Sequence, residues 1–238
     1  MTTTVLPMDS GEAQPGQQLA RVIPRVSRFA KPTAQLAAAS DSFNPRFERI
    51  RALRTELLVR REPGEQADVI ALLSPGAGDG RSQLAAELAM ALAQLNRPTL
   101  LVDADLRHPS QHLLFAADNK FGLTQAIEES AIPNIQPVEG LRHLFLLTSG
   151  PTPDNALELL LDKRLAALVE EWRNSFDFVV LDTAPIAQYS DGLAVASLVK
   201  RVLVLSRARH TPYKDIRDVL RRLAAMRSQV VGAVINHF

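Results

Sequence analysis

Short, continuously apolar runs alternate along this chain with stretches in which apolar residues recur at helical spacing. The runs lie at residues 69–73, 99–102, 144–147, 178–181, 202–205 and 230–235. Strands that are apolar at every position suit a sheet covered on both faces, and the helical stretches between them supply the covering layers. The pattern therefore predicts an α/β fold with a doubly wound, mainly parallel sheet and helices on both faces.

The first part of the chain lacks this alternation. Residues 1–40 are rich in Thr, Gln, Ala and Pro, and their prolines interrupt any helical period. Asn44 and Pro45 then supply an N-cap followed by proline at the first helical position, which predicts a helix to about residue 61. We expect a flexible tail over residues 1–40 and one domain over residues 41–238.

Composition narrows the class of protein. The 238 residues carry a net charge of +1 and contain no cysteine, which excludes disulfides, zinc–thiolate sites and thiol catalysis. The charge balance gives no general affinity for nucleic acid or for an acidic membrane. No apolar run reaches the roughly 18 residues of a membrane span, and the beginning of the chain has no block of signal-peptide length. We expect a cytoplasmic protein that binds no nucleic acid.

A glycine-rich stretch, SPGAGDGRSQLAAEL at residues 74–88, follows the first apolar run. Gly76, Gly78 and Gly80 let the backbone turn tightly and direct its N–H groups at phosphate oxygens, and the positive end of the following helix favours an anion. Ser82 has the position and the hydroxyl of a magnesium ligand. Arg81 stands where the phosphate-loop pattern requires lysine. An ordinary glycine-rich turn between strand and helix is the alternative.

Acidic residues follow two further apolar runs. Asp103 and Asp105, in LLVDADLRHP, project from the same side of an extended chain, so both can face a metal–phosphate site. Asp182, in FDFVVLDTAP, is a single acid where an apolar strand ends, the arrangement that holds magnesium through water. Singly, each acid is more often a helix cap or a solvated strand end. Three acids and a phosphate loop at one edge of a parallel sheet predict a nucleotide site.

From about residue 43 to residue 236, the chain resembles the bacterial tyrosine kinases (BY-kinases), cytoplasmic P-loop ATPases that work with polysaccharide co-polymerases in capsule and exopolysaccharide production. The resemblance rests on the loop at residues 78–82, the second Walker motif VDADLRHP, the Walker B acid in VVLDTAP, the segment SGPTPDNALELL, and Asp191 in YSDGL. It implies a P-loop NTPase fold that binds ATP and Mg²⁺. It also implies an inner-membrane co-polymerase as a separate chain, through which the protein reaches the membrane.

The resemblance implies roles for individual residues of an ATP site. Arg81 takes the place of the lysine that contacts the β- and γ-phosphates, and Asp103 and Asp105 activate the acceptor hydroxyl or complete the metal shell. The catalytic set is Arg81, Asp103, Asp105 and Asp182, and the metal ligands are Ser82, Asp105 and Asp182. The nucleotide-binding set is Gly76, Gly78, Asp79, Gly80, Arg81, Ser82, Gln83 and Asn236, in which Asn236 resembles an adenine-facing asparagine of related ATPases.

A further element of the family joins subunits into rings through Glu-x-x-Arg-x-x-Arg on the first helix. Glu48, Arg51 and Arg54 match it inside RFERIRALRTELL. Spacings of three keep these side chains on neighbouring parts of one helix face, so Glu48 can pair with Arg51 or reach a partner. The alternative is a solvated, salt-bridged surface helix. The resemblance favours a homo-oligomer.

The chain departs from the family pattern at two points. Arginine at position 81 keeps the positive charge, but it is longer and planar where lysine is a compact point charge. We therefore expect nucleotide binding to survive, and turnover depends on how Arg81 is positioned. The chain also has only Tyr189 and Tyr213 in place of a C-terminal tyrosine cluster. We expect any phosphotyrosine at these two positions or on another protein.

Three hypotheses for the function stay open at this point. The first is an ATPase or protein-tyrosine kinase of exopolysaccharide synthesis, and the second is a nucleotide-bound scaffold, of weak or no activity, that regulates the co-polymerase. The third is a partitioning or positioning ATPase. It is the least favoured, because those proteins carry a lysine early in the loop where this chain has Gly76.

Overall fold

A computed structural model of the protein describes residues 29–39, 44–61 and 67–237. Residues 1–28, which form most of the predicted flexible tail, lie outside the described residues, so flexibility there stays a prediction. Residues 29–39 pack on the domain: the backbone N–H of Ala30 donates to Pro137 (3.0 Å) and that of Lys31 to Phe115 (2.6 Å). The packed part of the chain thus begins before residue 41, because the side chains of Ala30 and Leu36 are fully buried.

One sheet contains the strands of the described residues. Their order is β3-β4-β2-β5-β1-β6-β7, and all neighbours are parallel except β3 and β4. The strands are β1 Asp68–Leu73, β2 Thr99–Ala104, β3 Gln136–Val138, β4 Leu141–Leu147, β5 Phe178–Thr183, β6 Arg201–Arg207 and β7 Gln229–Asn236. The predicted, mainly parallel sheet is confirmed, and each apolar run lies in a strand. Only β3 has no counterpart among the runs, because it is short and contains Pro137.

Helices connect the strands and cover both faces. They are α1 Ala34–Ala39, α2 Pro45–Val59, α3 Arg81–Ala93, α4 Gln111–Leu114, α5 Leu123–Glu128, α6 Ala156–Leu160, α7 Lys163–Ser175, α8 Asp191–Val199 and α9 Tyr213–Ala225. The start of α2 is as predicted: the side chain of Asn44 accepts a hydrogen bond from the backbone N–H of Arg46, and Pro45 is the first helical residue. Within the described residues, no helix is long and apolar enough to cross a membrane.

Alternate residues of each central strand enter different apolar layers. In β1, Val69 and Leu73 pack in a layer with residues of α5 to α9. Ile70 and Leu72 pack in a second layer with residues of α1 to α3 and with Phe115, just after α4. Because side chains of a strand point alternately to its two faces, the central sheet is covered on both sides.

The carboxyl ends of the parallel strands meet at one edge of the sheet. The loops after β1, β2, β5 and β6 and the end of β7 are therefore neighbours. Asp103 of β2 and Asp182 of β5 are aligned side by side in the register of this pair of strands. This edge brings together the acids and the glycine-rich loop that the sequence singles out.

Candidate active site

The glycine-rich loop between β1 and α3 is held from inside by the carboxylate of Asp79. This carboxylate accepts hydrogen bonds from the backbone N–H of Gly76 (3.0 Å) and from the hydroxyl of Thr211 (2.7 Å) in the loop after β6. Gly78 and Gly80 have φ of +77° and +90°, a conformation that strains residues with a Cβ. The loop shape therefore depends on two glycines and on one buried acid.

Asn236, at the end of β7, binds the same loop. Its amide nitrogen donates to the backbone carbonyl of Asp79 (3.1 Å), and its amide oxygen accepts from the Arg46 guanidinium (3.3 Å). Both polar ends of this side chain thus have partners within the protein. Asn236 holds the loop in place, and its predicted contact with adenine stays a prediction.

Arg81, the first residue of α3, turns its guanidinium toward the ends of three strands. Nε lies 3.2 Å from Asp182 Oδ1, Nη2 lies 3.1 Å from Asp105 Oδ2, and Nη1 lies 2.6 Å from the hydroxyl oxygen of Ser74. The residue is only 7% exposed. The cation that the sequence analysis expects at a phosphate is thus paired here with the acids of the site.

Asp103 has the most unusual environment of the acids. It is fully buried, and its Oδ2 accepts the backbone N–H groups of Ser110 (3.0 Å) and Gln111 (2.9 Å). Burial raises the pKa of Asp103 well above its usual range, the negative charge of Asp182 raises it further, and the backbone hydrogen bonds oppose the shift. Asp103 is therefore a carboxyl group that holds a proton readily.

Asp182 and Asp105 are each bound from two sides. Burial raises the pKa of Asp182, while the charge of Arg81 and hydrogen bonds from the side chains of Ser82 and Gln111 oppose that shift. Asp105 accepts the backbone N–H of His108 (3.0 Å) through Oδ1, which closes the turn after β2, and binds Arg81 through Oδ2. Arg81, Ser82, Asp105 and Asp182 thus form one contact cluster.

Gln111 belongs to this cluster, although the sequence gives it no role. Its amide nitrogen donates to Asp182 Oδ2 (2.8 Å) and to the backbone carbonyl of Ser82 (3.0 Å). A glutamine six residues after an acidic motif belongs to no recognisable sequence motif, so only the tertiary structure shows that Gln111 is part of the site. The residue joins the loop after β2 to the loop after β1 and the end of β5.

Gln83 and the oligomerisation residues have contacts outside the cluster. The amide of Gln83 donates to Glu87 (2.8 Å), which also binds Arg46. Glu48 pairs with Arg51 at 2.9 Å, one of the two outcomes that the spacing allows.

Arg54 is bound within its own chain. Its guanidinium donates to the backbone carbonyl of Ala91 of α3 (2.8 Å), and partial burial lowers the pKa of Arg54. Glu48 is therefore the exposed member of the set, whereas Arg51 and Arg54 are both half-buried.

Arg107 forms a second charged contact beside the cluster. Its guanidinium binds the carboxylate of Asp191 through two nitrogens, at 2.6 and 3.2 Å, and lies 4.4 Å from the ring centre of Tyr189. Asp191, which the sequence singles out in YSDGL, therefore fixes the loop after β2 to the start of α8. Tyr189 lies against this pair, at the same edge of the sheet as Asp103.

The residues present fit a magnesium ion bound together with a phosphate. In the part of the chain that the structure describes, no group of three or more acidic or histidine side chains is arranged to hold a metal. Mg²⁺ does not need such a cage, since it commonly keeps several waters and takes one or two carboxylates plus phosphate oxygens. Ser82, Asp182 and Asp105 offer oxygen donors, and the buried amide oxygen of Gln111 has no hydrogen-bond partner among the described residues.

Comparison with known proteins places the chain among kinases. No protein-family model matches it. The tyrosine-protein kinase YwqD of Bacillus subtilis is 31% identical over 214 residues, which are 89% of this chain and 90% of YwqD. The succinoglycan biosynthesis transport protein ExoP of Rhizobium meliloti is 33% identical over 177 residues, 73% of this chain but 22% of ExoP.

Solved structures give the same assignment. The kinase domain of the Escherichia coli tyrosine kinase ETK matches with a TM-score of 0.81 and 27% identity, over 90% of this chain and 84% of that one. The cell division ATPase MinD of Pyrococcus furiosus matches with a TM-score of 0.63 and 20% identity over 71% of each chain. The likeness to MinD concerns the fold alone.

Replacing Arg81 by alanine should destabilise the protein when no ligand is present. The change leaves the buried carboxylates of Asp105 and Asp182 without their cation, which should lower the free energy of unfolding by about 3 kcal/mol. Urea unfolding near neutral pH in EDTA measures this effect. Arg221→Ala is the control, because Arg221 pairs with Asp218 on the surface and should cost less than about 1 kcal/mol. Equal losses in the two variants would contradict the ion-pair role of Arg81.

Replacing Asp103 by asparagine should stabilise the ligand-free protein near neutral pH. Burial raises the pKa of Asp103 above its ordinary 3.8, so the folded state binds this proton more tightly than the unfolded chain does. The stabilisation that this proton gives the folded state is complete below the ordinary pKa of the carboxyl group. It is lost as the pH rises through the raised pKa that Asp103 has in the folded protein. Melting temperatures of both proteins from about pH 4 to about pH 8 in EDTA test this.

The stability advantage of Asp103→Asn should shrink as the pH falls toward the acidic end of this range. Asp218→Asn, at an exposed acid, serves as the control. A variant that melts below the wild type near neutral pH would show that the backbone hydrogen bonds to the carboxylate outweigh its burial.

Proposed function

The chain belongs to the bacterial tyrosine-protein kinases, and we propose that it binds ATP and transfers the terminal phosphoryl group to tyrosine hydroxyls in exopolysaccharide or capsule biosynthesis. The observation that carries this proposal is the convergence of Arg81, Asp105 and Asp182 within hydrogen-bond distance at the end of the glycine-rich loop. A phosphoryl-transfer enzyme needs a cation, acids and a phosphate loop at one point. We assign the activity to the domain of residues 41–238.

The loop and the start of α3 would bind the phosphates. Backbone N–H groups from Gly78 to Ser82 and the positive end of this 13-residue helix provide the donors. Asp79, with its bonds to Gly76 and Thr211, would keep the loop in shape. Ser82 and Asp182 would hold Mg²⁺, with Asp105 beside them, and the ion would supply positive charge to the phosphate oxygens.

Asp103 would act as the general base for the tyrosine hydroxyl. A carboxylate whose pKa is raised by burial accepts a proton more readily than an exposed one. In the transfer, the phenolic oxygen forms a bond to the γ-phosphorus as the bond from that phosphorus to the leaving oxygen of ADP breaks. The phenolic proton passes to Asp103. Arg81 would stabilise the negative charge on the phosphoryl oxygens.

The proposed setting is a polysaccharide-producing assembly. ExoP, a relative of this chain, is named for succinoglycan biosynthesis and transport. We infer that the present protein acts in the cytoplasm with an inner-membrane polysaccharide co-polymerase that is a separate chain, and that it contacts the membrane through that partner. The net charge of +1 agrees with a protein that does not bind nucleic acid or lipid by general electrostatic attraction.

A second candidate function is a nucleotide-bound scaffold with weak turnover. The observation that favours it is the engagement of Arg81, which has bonds to Asp182, Asp105 and Ser74 and is nearly buried. A cation held by these groups must leave some of them to contact a γ-phosphate. The scaffold would regulate the co-polymerase through its assembly instead of through phosphorylation.

Nucleotide binding and turnover in Arg81 variants test both functions. Calorimetry should detect binding of ADP with Mg²⁺ to the wild type, a few-fold change in Arg81→Lys, and binding about ten- to a hundredfold weaker in Arg81→Ala, which loses a charge-assisted contact. Arg221→Ala should bind like the wild type. No binding at millimolar nucleotide would contradict both functions.

Turnover separates the enzyme from the scaffold. ATP hydrolysis and phosphotyrosine formation are measured by rate assay and mass spectrometry for the wild type and Arg81→Lys. Clear wild-type turnover supports the kinase, with phosphotyrosine at Tyr189, Tyr213 or on another protein. Nucleotide binding without turnover in the wild type, together with turnover in Arg81→Lys, supports the scaffold, because lysine fits a phosphate loop as a compact charge.

Self-association through α2 is part of the proposal. The side chain of Glu48 is 66% exposed while it contacts Arg51, so it remains accessible to a neighbouring subunit. Arg51 also lies 5.2 Å from the ring centre of Phe47, which limits its conformations and presents it at a fixed place on the helix. We therefore propose that Glu48 and Arg51 form the contact, and that Arg54 supports it by fixing α2 to α3.

A matched pair of glutamates on α2 tests this contact. Glu48→Ala should weaken self-association about tenfold, because it removes a charge from the interface. Glu56 is the control, since it has the same side-chain exposure of 66% and an ion pair with Arg60 on the same helix. Sedimentation velocity with ADP and Mg²⁺ present compares the wild type, Glu48→Ala and Glu56→Ala. Equal behaviour of the two variants would remove Glu48 from the interface.

A further inference from the structure

Gln111 is a fully buried polar side chain in the middle of the acidic cluster. It is the first residue of α4, and its backbone N–H donates to Asp103 while its side chain binds Asp182 and the carbonyl of Ser82. One residue thus contacts three groups of the proposed nucleotide site. A glutamine buried this completely is costly unless its polar atoms have partners.

The orientation of the Gln111 amide is fixed by its neighbours. The carbonyl oxygen of Ser82, 3.0 Å away, can only accept a hydrogen bond, so the group that faces it must be the NH₂. The carboxylate oxygen of Asp182, 2.8 Å from the same nitrogen, is a second acceptor. A flipped amide would place its oxygen against both acceptors. Oε1 therefore points away from them, and it is buried with no hydrogen-bond partner among the described residues.

The side chains of the cluster that donate hydrogen bonds make them to acceptors other than Oε1. The guanidinium of Arg81 binds Asp182, Asp105 and Ser74, and the hydroxyl of Ser82 is hydrogen-bonded to Asp182. Ser74 donates its own hydroxyl to the backbone carbonyl of Gly76. None of these hydrogen bonds reaches Oε1, so a molecule that binds at this site can supply its donor.

Water bound to a metal ion is the donor that suits this position. Oε1 belongs to the same amide group whose nitrogen is bound to the carboxylate of Asp182 and to the backbone carbonyl of Ser82, so it lies within a few ångströms of two of the residues proposed to hold the metal. Mg²⁺ gives up its waters reluctantly, and a single acid at the end of a strand holds it through water. Such waters carry polarised O–H groups and need acceptors in the protein.

We propose that Gln111 is a positioning residue for the hydrated magnesium ion. Its amide nitrogen holds the carboxylate of Asp182 in place, and its amide oxygen accepts a hydrogen bond from a water in the coordination shell of the ion. The inference rests on the proposed function, because the ion enters with the nucleotide.

Gln111→Met tests the inference, because methionine has a similar length and no hydrogen-bonding amide. The probe is Mn²⁺ as a stand-in for Mg²⁺, titrated into protein saturated with ADP and followed by electron paramagnetic resonance. The variant should bind Mn²⁺ about tenfold more weakly, the size of effect that loss of an outer partner has on a metal site. ADP affinity measured in EDTA should change less than about twofold, because the phosphate loop is intact.

Gln136→Met is the matched control for a merely structural role. Gln136 is also buried, at 2% exposure, and its amide binds the backbone of Asp118, far along the sheet at the β3 edge. It should lose stability like Gln111→Met but keep wild-type affinity for Mn²⁺. If Gln111→Met does not fold, Gln111→Asn replaces it as the test. This variant retains the amide on a shorter side chain, so it should fold and bind Mn²⁺ more weakly than the wild type.

The outcomes separate this inference from the proposed function. Wild-type Mn²⁺ affinity in folded Gln111→Met or Gln111→Asn would overturn the role of Gln111 while leaving nucleotide binding in place. A fall in ADP affinity in EDTA as large as the fall in Mn²⁺ affinity would also overturn it, because the residue would then support the loop in general. If the wild type binds no ADP at all, the proposed function fails, and this inference fails with it.

Discussion

Negative charge buried at the carboxyl ends of the strands is the constraint on which this site depends. Asp103, Asp105 and Asp182 are all nearly inaccessible to solvent, and a buried carboxylate is unstable unless it is protonated, paired or hydrogen-bonded. Each of the three is treated differently. Asp103 accepts three backbone N–H groups and has a raised pKa. Asp105 divides its oxygens between backbone N–H groups and Arg81, and Asp182 binds Arg81 and Gln111.

Groups of the protein itself bind the donors of the proposed phosphate site. The N–H of Gly76, a donor of the glycine-rich loop, is bound by the carboxylate of Asp79, and the cation of Arg81 is bound by Asp105 and Asp182. A carboxylate thus accepts a hydrogen bond that a phosphate could otherwise accept. Carboxylates also surround the cation that would attract a phosphate. Binding of the proposed nucleotide would accordingly exchange partners, and its free energy would be the difference between two sets of charged contacts.

Much of the fold follows from the sequence because the central strands are buried on both faces. Continuous apolar runs such as residues 178–181 are a direct result of that burial, and they identify the strands without any alignment. The strand Gln136–Val138 has no such run, because it is short and is an edge strand of the sheet. Residues 29–39 look like a tail in composition, yet Leu36 and Ala30 are buried against the domain.

The sequence predicts which edge of the sheet carries the candidate site, but no further detail of the site. Acids that end parallel strands must meet at one edge, so the proximity of Asp105 and Asp182 is predictable. The partners of each side chain are not. Gln111 reaches the acids because the turn after β2 folds back through the bonds from Ser110 and Gln111 to Asp103. Arg81 stands where the phosphate-loop pattern has lysine, so the sequence alone predicts that it contacts phosphate. Its inward direction depends on the acceptors that surround it, and these are known only from the structure.

Arginine at position 81 affects both stability and function through the geometry of its contacts as well as through its charge. Its planar fork carries donors on separate nitrogens, and these reach Ser74 after β1, Asp105 after β2 and Asp182 on β5 at the same time. The ammonium of a lysine concentrates its donors on one atom and cannot span these three acceptors with the same geometry. In the proposed reaction, these contacts would have to weaken before the guanidinium could stabilise a transferring phosphoryl group, because only interactions stronger in the transition state than in the ground state accelerate a reaction. In the proposed reaction, the rate of turnover would therefore depend on how readily Asp105 and Asp182 release the side chain of Arg81.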